Sequence, residues 1–209
     1  MKRRSFLRLA LLALAGCTAP QSLVFRPGFL SDTDAATVCS RGPVIAPTPP
    51  AETIGPDLLD VSTGLHVKNY EVVQIDPANY RLKVTGLVDH PLELTLSDLC
   101  SMPKITSKVV CTCRGYFEDV TTYSGVPLTH VLELAGVQSG AKAVYLTDGE
   151  NYPGYLSLED ALKEDNFLAY QWKNEPLPIL HGFPVRAVIP SMMGYTWTKF
   201  LVEIKVEIA

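Results

Sequence analysis

The sequence predicts a mixed α+β domain that is rich in β-structure and carries only short helices. Three observations predict it. Alternating apolar and polar runs recur along the chain, as half-buried strands require. Sixteen prolines and fourteen glycines punctuate those runs, which favours turns over long helices. Helical spacing is confined to a few short stretches, and the order lacks the regular strand–helix alternation of a doubly wound sheet. The 209 residues are 47% hydrophobic and 19% charged, a globular balance with room for one or at most two domains. The net charge of −4 implies no basic face and excludes nucleic acid as a partner.

The elements follow in order. "YRLKVTGLV" (80–88) alternates and carries a glycine, so it reads as a strand followed by a turn. "LELTLSDLCSM" (92–102) begins as a strand, and Ser97 with Asp98 read as the cap of a short helix. "ITSKVVCT" (105–112) is a strand. "PLTHVLELAG" (127–136) places Pro127 at a helix start and Gly136 at its stop. "KAVYLTD" (142–148) is a strand, and "SLEDALKED" (157–165) is a short helix with Ser157 as its N-cap. "NFLAYQW", "FPVRAVIP" and "TKFLVEIKVEI" complete the strands. Together these fill one compact domain over 61–209.

The first sixty residues read differently. "MKRRSFLRLALLALAGC" has a charged start, a short apolar stretch and a small-residue end, the three parts of an export signal. The apolar stretch is too short for a permanent membrane span. "RRSFLR" resembles the twin-arginine signal of proteins exported already folded. "LAGC" resembles the lipobox of bacterial lipoproteins, which would make Cys17 a lipid anchor and place the protein in the periplasm or at the outer cell surface. Residues 18–60, with the proline-rich "GPVIAPTPPAETIGP" (42–56), read as an extended tether. Cys39 lies there, and either pairs with Cys100 or remains a lone thiol.

Cys111 and Cys113 flank Thr112 at the end of a predicted strand. Alternation puts both on one face, with Cα atoms roughly 6.5–7 Å apart, near the upper limit for a disulfide. Two readings stay open: inert buried thiols, or a thiolate that binds a soft metal. Arg114 next door would favour the thiolate, and Gly115 would admit close backbone approach. No CxxC pair or HExxH run supports a zinc site.

"CRGYFEDVTTYSGVPLTHVLELAG" resembles the segment around the metal-binding cysteine of the sulfite oxidase-like molybdopterin oxidoreductases, with Tyr123 where tryptophan is usual. "LAYQWKNEPLPILHGFPVR" and the later "KFL" are similar to the family's downstream run, and "YRLKVTGLVDHPLELTLSDL" to its opening strands. The resemblance spans about 65–207. It implies a sulfite oxidase-type molybdopterin-binding fold and a molybdenum cofactor with a single pterin. Cys113 would ligate the metal, with Cys111 the less favoured choice. Asn69, His181, Arg186 and Lys199 would hold the cofactor, a phosphate suiting the planar fork of Arg186. Arg114 and Tyr116 would line the substrate mouth.

The implied activity is oxygen-atom transfer to or from a small anionic or oxo substrate such as sulfite or a sulfoxide. No CxxCH haem motif is present, so a separate carrier, a cytochrome or a membrane quinol protein, would exchange the electrons. A monomer is expected. Two readings compete. One is a cofactor-free binding module at the membrane, favoured by the departures at Tyr70, Tyr123 and Phe200. The other is a dithiol redox protein using Cys111 and Cys113.

Overall fold

The computed structural model describes residues 58–67, 73–150 and 153–208. Two sheets carry the fold. The first has the order β10–β9–β6–β5 and is antiparallel, with β11 also on β9. Its strands are β5 (Ile105–Cys113), β6 (Phe117–Pro127), β9 (Phe167–Trp172), β10 (Glu175–Pro176) and β11 (Arg186–Val188). The second has the order β4–β3–β12–β7–β8. It comprises β3 (Leu82–Gly86), β4 (Leu92–Leu94), β7 (Ala143–Thr147), β8 (Gly154–Ser157) and β12 (Glu203–Glu207). Among the described residues only the β3–β12 pairing is parallel. A two-stranded hairpin, β1 (Leu59–Asp60) and β2 (Leu65–His66), stands apart from both sheets.

Alternation works as the sequence predicts in the second sheet. Leu82 and Val84 of β3, and Ile204 and Val206 of β12, are buried, while Lys83 and Lys205 are exposed. In the first sheet β9 is central and buried on both faces, so "FLAYQ" is apolar nearly throughout. Side chains of both sheets and of α2 (Leu128–Ala135) share one continuous core.

The helices are short and capped. α1 (Leu96–Ser101) starts from Thr95, whose hydroxyl accepts from the Asp98 N–H while the Asp98 carboxylate accepts from Thr95. The predicted cap at Ser97 therefore lies two residues too far along, inside the first turn; the capping box fixes the true start. α2 runs between Pro127 and a left-handed Gly136, as predicted. α3 (Leu158–Ala161) is capped by Ser157.

Two predicted strands are shorter than expected. "FPVRAVIP" yields only β11, and "TKFLVEIKVEI" yields strand only from Glu203. The segment before β12 instead runs beside β11, with Ala187 donating to the Thr198 carbonyl and Leu201 to that of Val185. Phe200 turns to φ 53° there. The long β6 was not predicted as a strand. Its outward face carries Val120, its end carries Gly125 and Pro127, and a register shift falls between Ser124 and Gly125, so no clean two-residue period survives.

Candidate active site

A cavity of about 660 Å³ opens among the β1–β2 hairpin, the β5–β6 hairpin, the β7–β8 connection and the 194–200 segment. Cys111 and Cys113 both line it, on the same face of β5, as the alternation argument requires. Both are free thiols. Burial pushes the Cys111 thiol up, with Arg186 pulling the other way, so Cys111 stays protonated at neutral pH. Cys100 is disulfide-bonded; Cys39 lies outside the described residues.

The opposite wall is cationic. Arg186 on β11 is buried. Its Nη1 donates to the Tyr123 hydroxyl and the His181 carbonyl, both at 3.2 Å, and its Nη2 to the Trp197 carbonyl at 3.4 Å. Its Nε has no partner. The guanidinium also lies over the rings of Tyr123 and Trp197. Lys199 borders the same cavity, and desolvation, then the charge of Arg186, lowers its pKa to about 7. Its side chain is half-buried and lines the cavity. Neither cation has a carboxylate partner among the described residues. Gly182 permits this crowding. It sits at φ 102°, and a Cβ there would come within 3.0 Å of the Arg186 Cβ and 3.1 Å of the Lys199 Cα.

Two crossed His–Asp pairs tie the β1–β2 hairpin to the body. His181, at the end of a 3₁₀ turn (Ile179–His181), places Nε2 3.0 Å from Asp60 Oδ2 and 3.0 Å from Thr63 Oγ1. Burial, with Lys199 and Arg186 adding to it, lowers the His181 pKa to about 4, so the ring is neutral and its Nε2–H donates to Asp60. Burial pushes the Asp60 carboxyl up, but hydrogen bonds from Ser62, Thr63 and His181 outweigh it and hold it below the usual carboxylate range. In the second pair the histidine belongs to the hairpin. His66 Nδ1 lies 2.6 Å from Asp119 Oδ1, the His66 N–H donates to Asp119 Oδ2 at 2.8 Å, and the ring stacks parallel on Phe117 at 4.8 Å.

Residues 69–208 match the family described as "Oxidoreductase molybdopterin binding domain". The chain belongs to that family. It is 34% identical to the "Uncharacterized oxidoreductase YuiH" of Bacillus subtilis over 73% of this chain and 75% of that protein. It is 30% identical to the "Putative protein-methionine-sulfoxide reductase subunit YedZ1" of Azospira oryzae over 63% of this chain and 50% of that one. Among solved structures, the sulfane dehydrogenase SoxCD of Paracoccus pantotrophus superposes with a TM-score of 0.63 at 27% identity, over 68% of this chain and 41% of that one. The chain spans half or less of YedZ1 and of the sulfite oxidases and nitrate reductases that it also matches. The β-rich fold is thus the sulfite oxidase type, and the chain is a molybdopterin oxidoreductase with a molybdenum cofactor.

The cavity fits a molybdopterin cofactor on its own chemistry. A buried guanidinium with an orphaned Nε, beside a desolvated ammonium, is costly without an anion, and a pterin phosphate is such an anion. On the other wall stand two thiols. Among the described residues no three His, Cys, Asp or Glu side chains converge, so a metal bound there must bring most of its own ligands, as a dithiolene-bound metal does. Two of the departures from the family pattern, Tyr123 and Phe200, are absorbed into the site. The Tyr123 hydroxyl accepts from Arg186, and Phe200 lines the cavity.

The structure brings together Cys113, His181, Arg186 and Lys199 of the predicted site residues. It does not bring in Arg114 or Tyr116. Both lie in the exposed turn between β5 and β6 and do not line the cavity. The cations acting on the neighbouring thiol, Cys111, are Arg186 and Lys199. Gly115 serves that turn through φ 82°, and a Cβ there would meet nothing within 4 Å, so close approach is not its role. Asn69, Tyr70 and Cys17 lie outside the described residues. Sequence reasoning missed His66, Asp119 and Asp60. His66 opens the stretch "HVKNYEVV", but its carboxylate partner is 53 residues away, and no local pattern links them.

Proposed function

We propose that the chain is an exported, lipid-anchored enzyme that transfers an oxygen atom to or from a small oxo substrate, sulfite or a sulfoxide, with Cys113 ligating molybdenum. The observation that carries this is the cavity with a free thiol at one wall and an unpaired buried cation at the other. When bound, the molybdenum cofactor supplies the two-electron change that accompanies movement of an oxygen atom; the protein binds, orients and encloses it. Arg186 and Lys199 supply charge-assisted donors to the pterin phosphate. Neutral His181, fixed by Asp60 and Thr63, holds the adjoining loop rigid. Cys113 supplies the thiolate, the ligand type that a soft metal takes. The similarity to the "Putative protein-methionine-sulfoxide reductase subunit YedZ1" and to the sulfane dehydrogenase SoxCD supports a sulfur-centred substrate. Electrons pass to or from a separate carrier, a cytochrome or a membrane quinol protein.

The export reading rests on "RRSFLR", on "LAGC" ending at Cys17, and on the oxidised state of Cys100, since disulfides persist outside the cytosol. The test uses protein from a molybdenum-competent host. X-ray absorption of the wild type and of Cys111→Ser should show the same metal–sulfur shell, while Cys113→Ser should lose one sulfur and at least ~100-fold of dye-coupled sulfoxide or sulfite turnover. An unchanged sulfur shell in Cys113→Ser would sink the assignment.

A further inference from the structure

The His66–Asp119 pair lies in the cavity, yet the cofactor-binding wall has no use for it. Its geometry is that of an oriented acid–base group. The Asp119 carboxylate accepts from both the His66 backbone N–H and Nδ1, which places the ring proton on Nδ1 and leaves Nε2 as the exchangeable nitrogen. The stack on Phe117 fixes the ring plane. Phe117 is the cross-strand partner of Cys113, and Asp119 of Cys111, so the pair flanks the thiol wall. His66 lines the cavity while its side chain stays 23% exposed. It is thus accessible in a cavity that opens to solvent.

The proposed reaction needs such a group. Reducing a sulfoxide takes two electrons from the external carrier and two protons, and releases the sulfide and water. Oxidising sulfite with water runs the same balance in reverse and releases two protons. Several other titratable groups on the cavity are committed elsewhere, and none of them has the carboxylate-oriented ring of His66 with a nitrogen left free. His181 is 2% exposed and committed to Asp60. Tyr123 is buried and held as a phenol, burial raising its pKa. Arg186 and Lys199 face the anion. Cys111 and Cys113 form the thiol wall, and Asp148 and Glu150 stand at the β7–β8 connection.

We propose that His66, oriented by Asp119, is the proton carrier of this cavity, passing protons one at a time through Nε2 between solvent and the substrate oxygen. The inference rests on the oxygen-transfer reading above. The test compares holoenzymes of the wild type, His66→Phe, His66→Gly and Asp119→Asn, with molybdenum content measured in each. His66→Phe keeps a ring against Phe117. It should retain full metal content and KM within about threefold, and lose about 10²-fold in kcat, the scale of general acid–base catalysis. Added imidazole should restore part of the His66→Gly rate, which a structural role would not allow. In the oxidised holoenzyme, 15N-resolved NMR should show a downfield Nδ1 proton on His66 that Asp119→Asn abolishes. A wild type that carries molybdenum while His66→Phe keeps its kcat overturns this inference alone. So does metal content that falls in step with kcat, which would make the pair a clasp. A wild type without molybdenum removes both this inference and the reading beneath it.

Discussion

At the scale of single residues, the site is governed by charge held out of water. His181, 2% exposed, keeps a pKa of about 4 in the folded chain against 6.5 ordinarily. Between those values the unfolded chain binds a proton that the folded chain refuses, so stability falls as pH drops from about 6.5 to about 4. The loss amounts to about 3 kcal/mol. Urea denaturation of the metal-free chain across that window should show it, and His181→Asn should flatten the slope. Cys113, His181, Arg186 and Lys199 could be singled out because each lies in or beside a short distinctive run, such as "HGFPVR", and all four line the one cavity. Arg114 and Tyr116 were misplaced because adjacency in sequence does not give direction. Cys113 ends a strand and lines the cavity, whereas the next three residues form an exposed turn. His66 and Asp119 were illegible because their pairing exists only once the β1–β2 hairpin has docked.

At the scale of elements, close backbone approach sets what the site tolerates. Gly182 follows the 3₁₀ turn at φ 102°, against the side chains of Arg186 and Lys199. Gly182→Ala brings left-handed strain and a contact that must push one cation away. We expect a loss of about 1–3 kcal/mol in stability, in the range of overpacking, and at least ~10-fold less bound molybdenum. Circular dichroism melting and metal analysis check the two effects separately; full metal content would show that the cation wall absorbs the methyl group. Strand identity was legible where one face is buried, as in β3 and β12. It failed in β6, where the register shift at Ser124/Gly125 and the exposed Val120 break the alternation.

At the scale of the whole molecule, the metal-free cavity carries a built-in penalty that the cofactor relieves. Ligand binding to the folded state alone stabilises by about 2.7 kcal/mol at a hundredfold excess over Kd, and more if a buried charge is compensated at the same time. The holoenzyme should therefore melt well above the metal-free chain, and Arg186→Met, which removes both the buried charge and its contact with the cofactor, should narrow that gap. Calorimetry of the four species decides it; an unchanged gap would mean that Arg186 does not meet the cofactor. Among the described residues no helix is long and apolar enough to cross a membrane.

The sequence by itself determined the strand-rich class, the caps of α2 and α3, and the cofactor class, because each is written in residues close together along the chain. Only the tertiary structure decided which groups face the cavity, that Arg186 keeps an unpartnered Nε, and that two histidines and two aspartates pair crosswise over 121 and 53 residues. Burial and distance set those properties. Both arise when remote strands pack, and no local pattern encodes them.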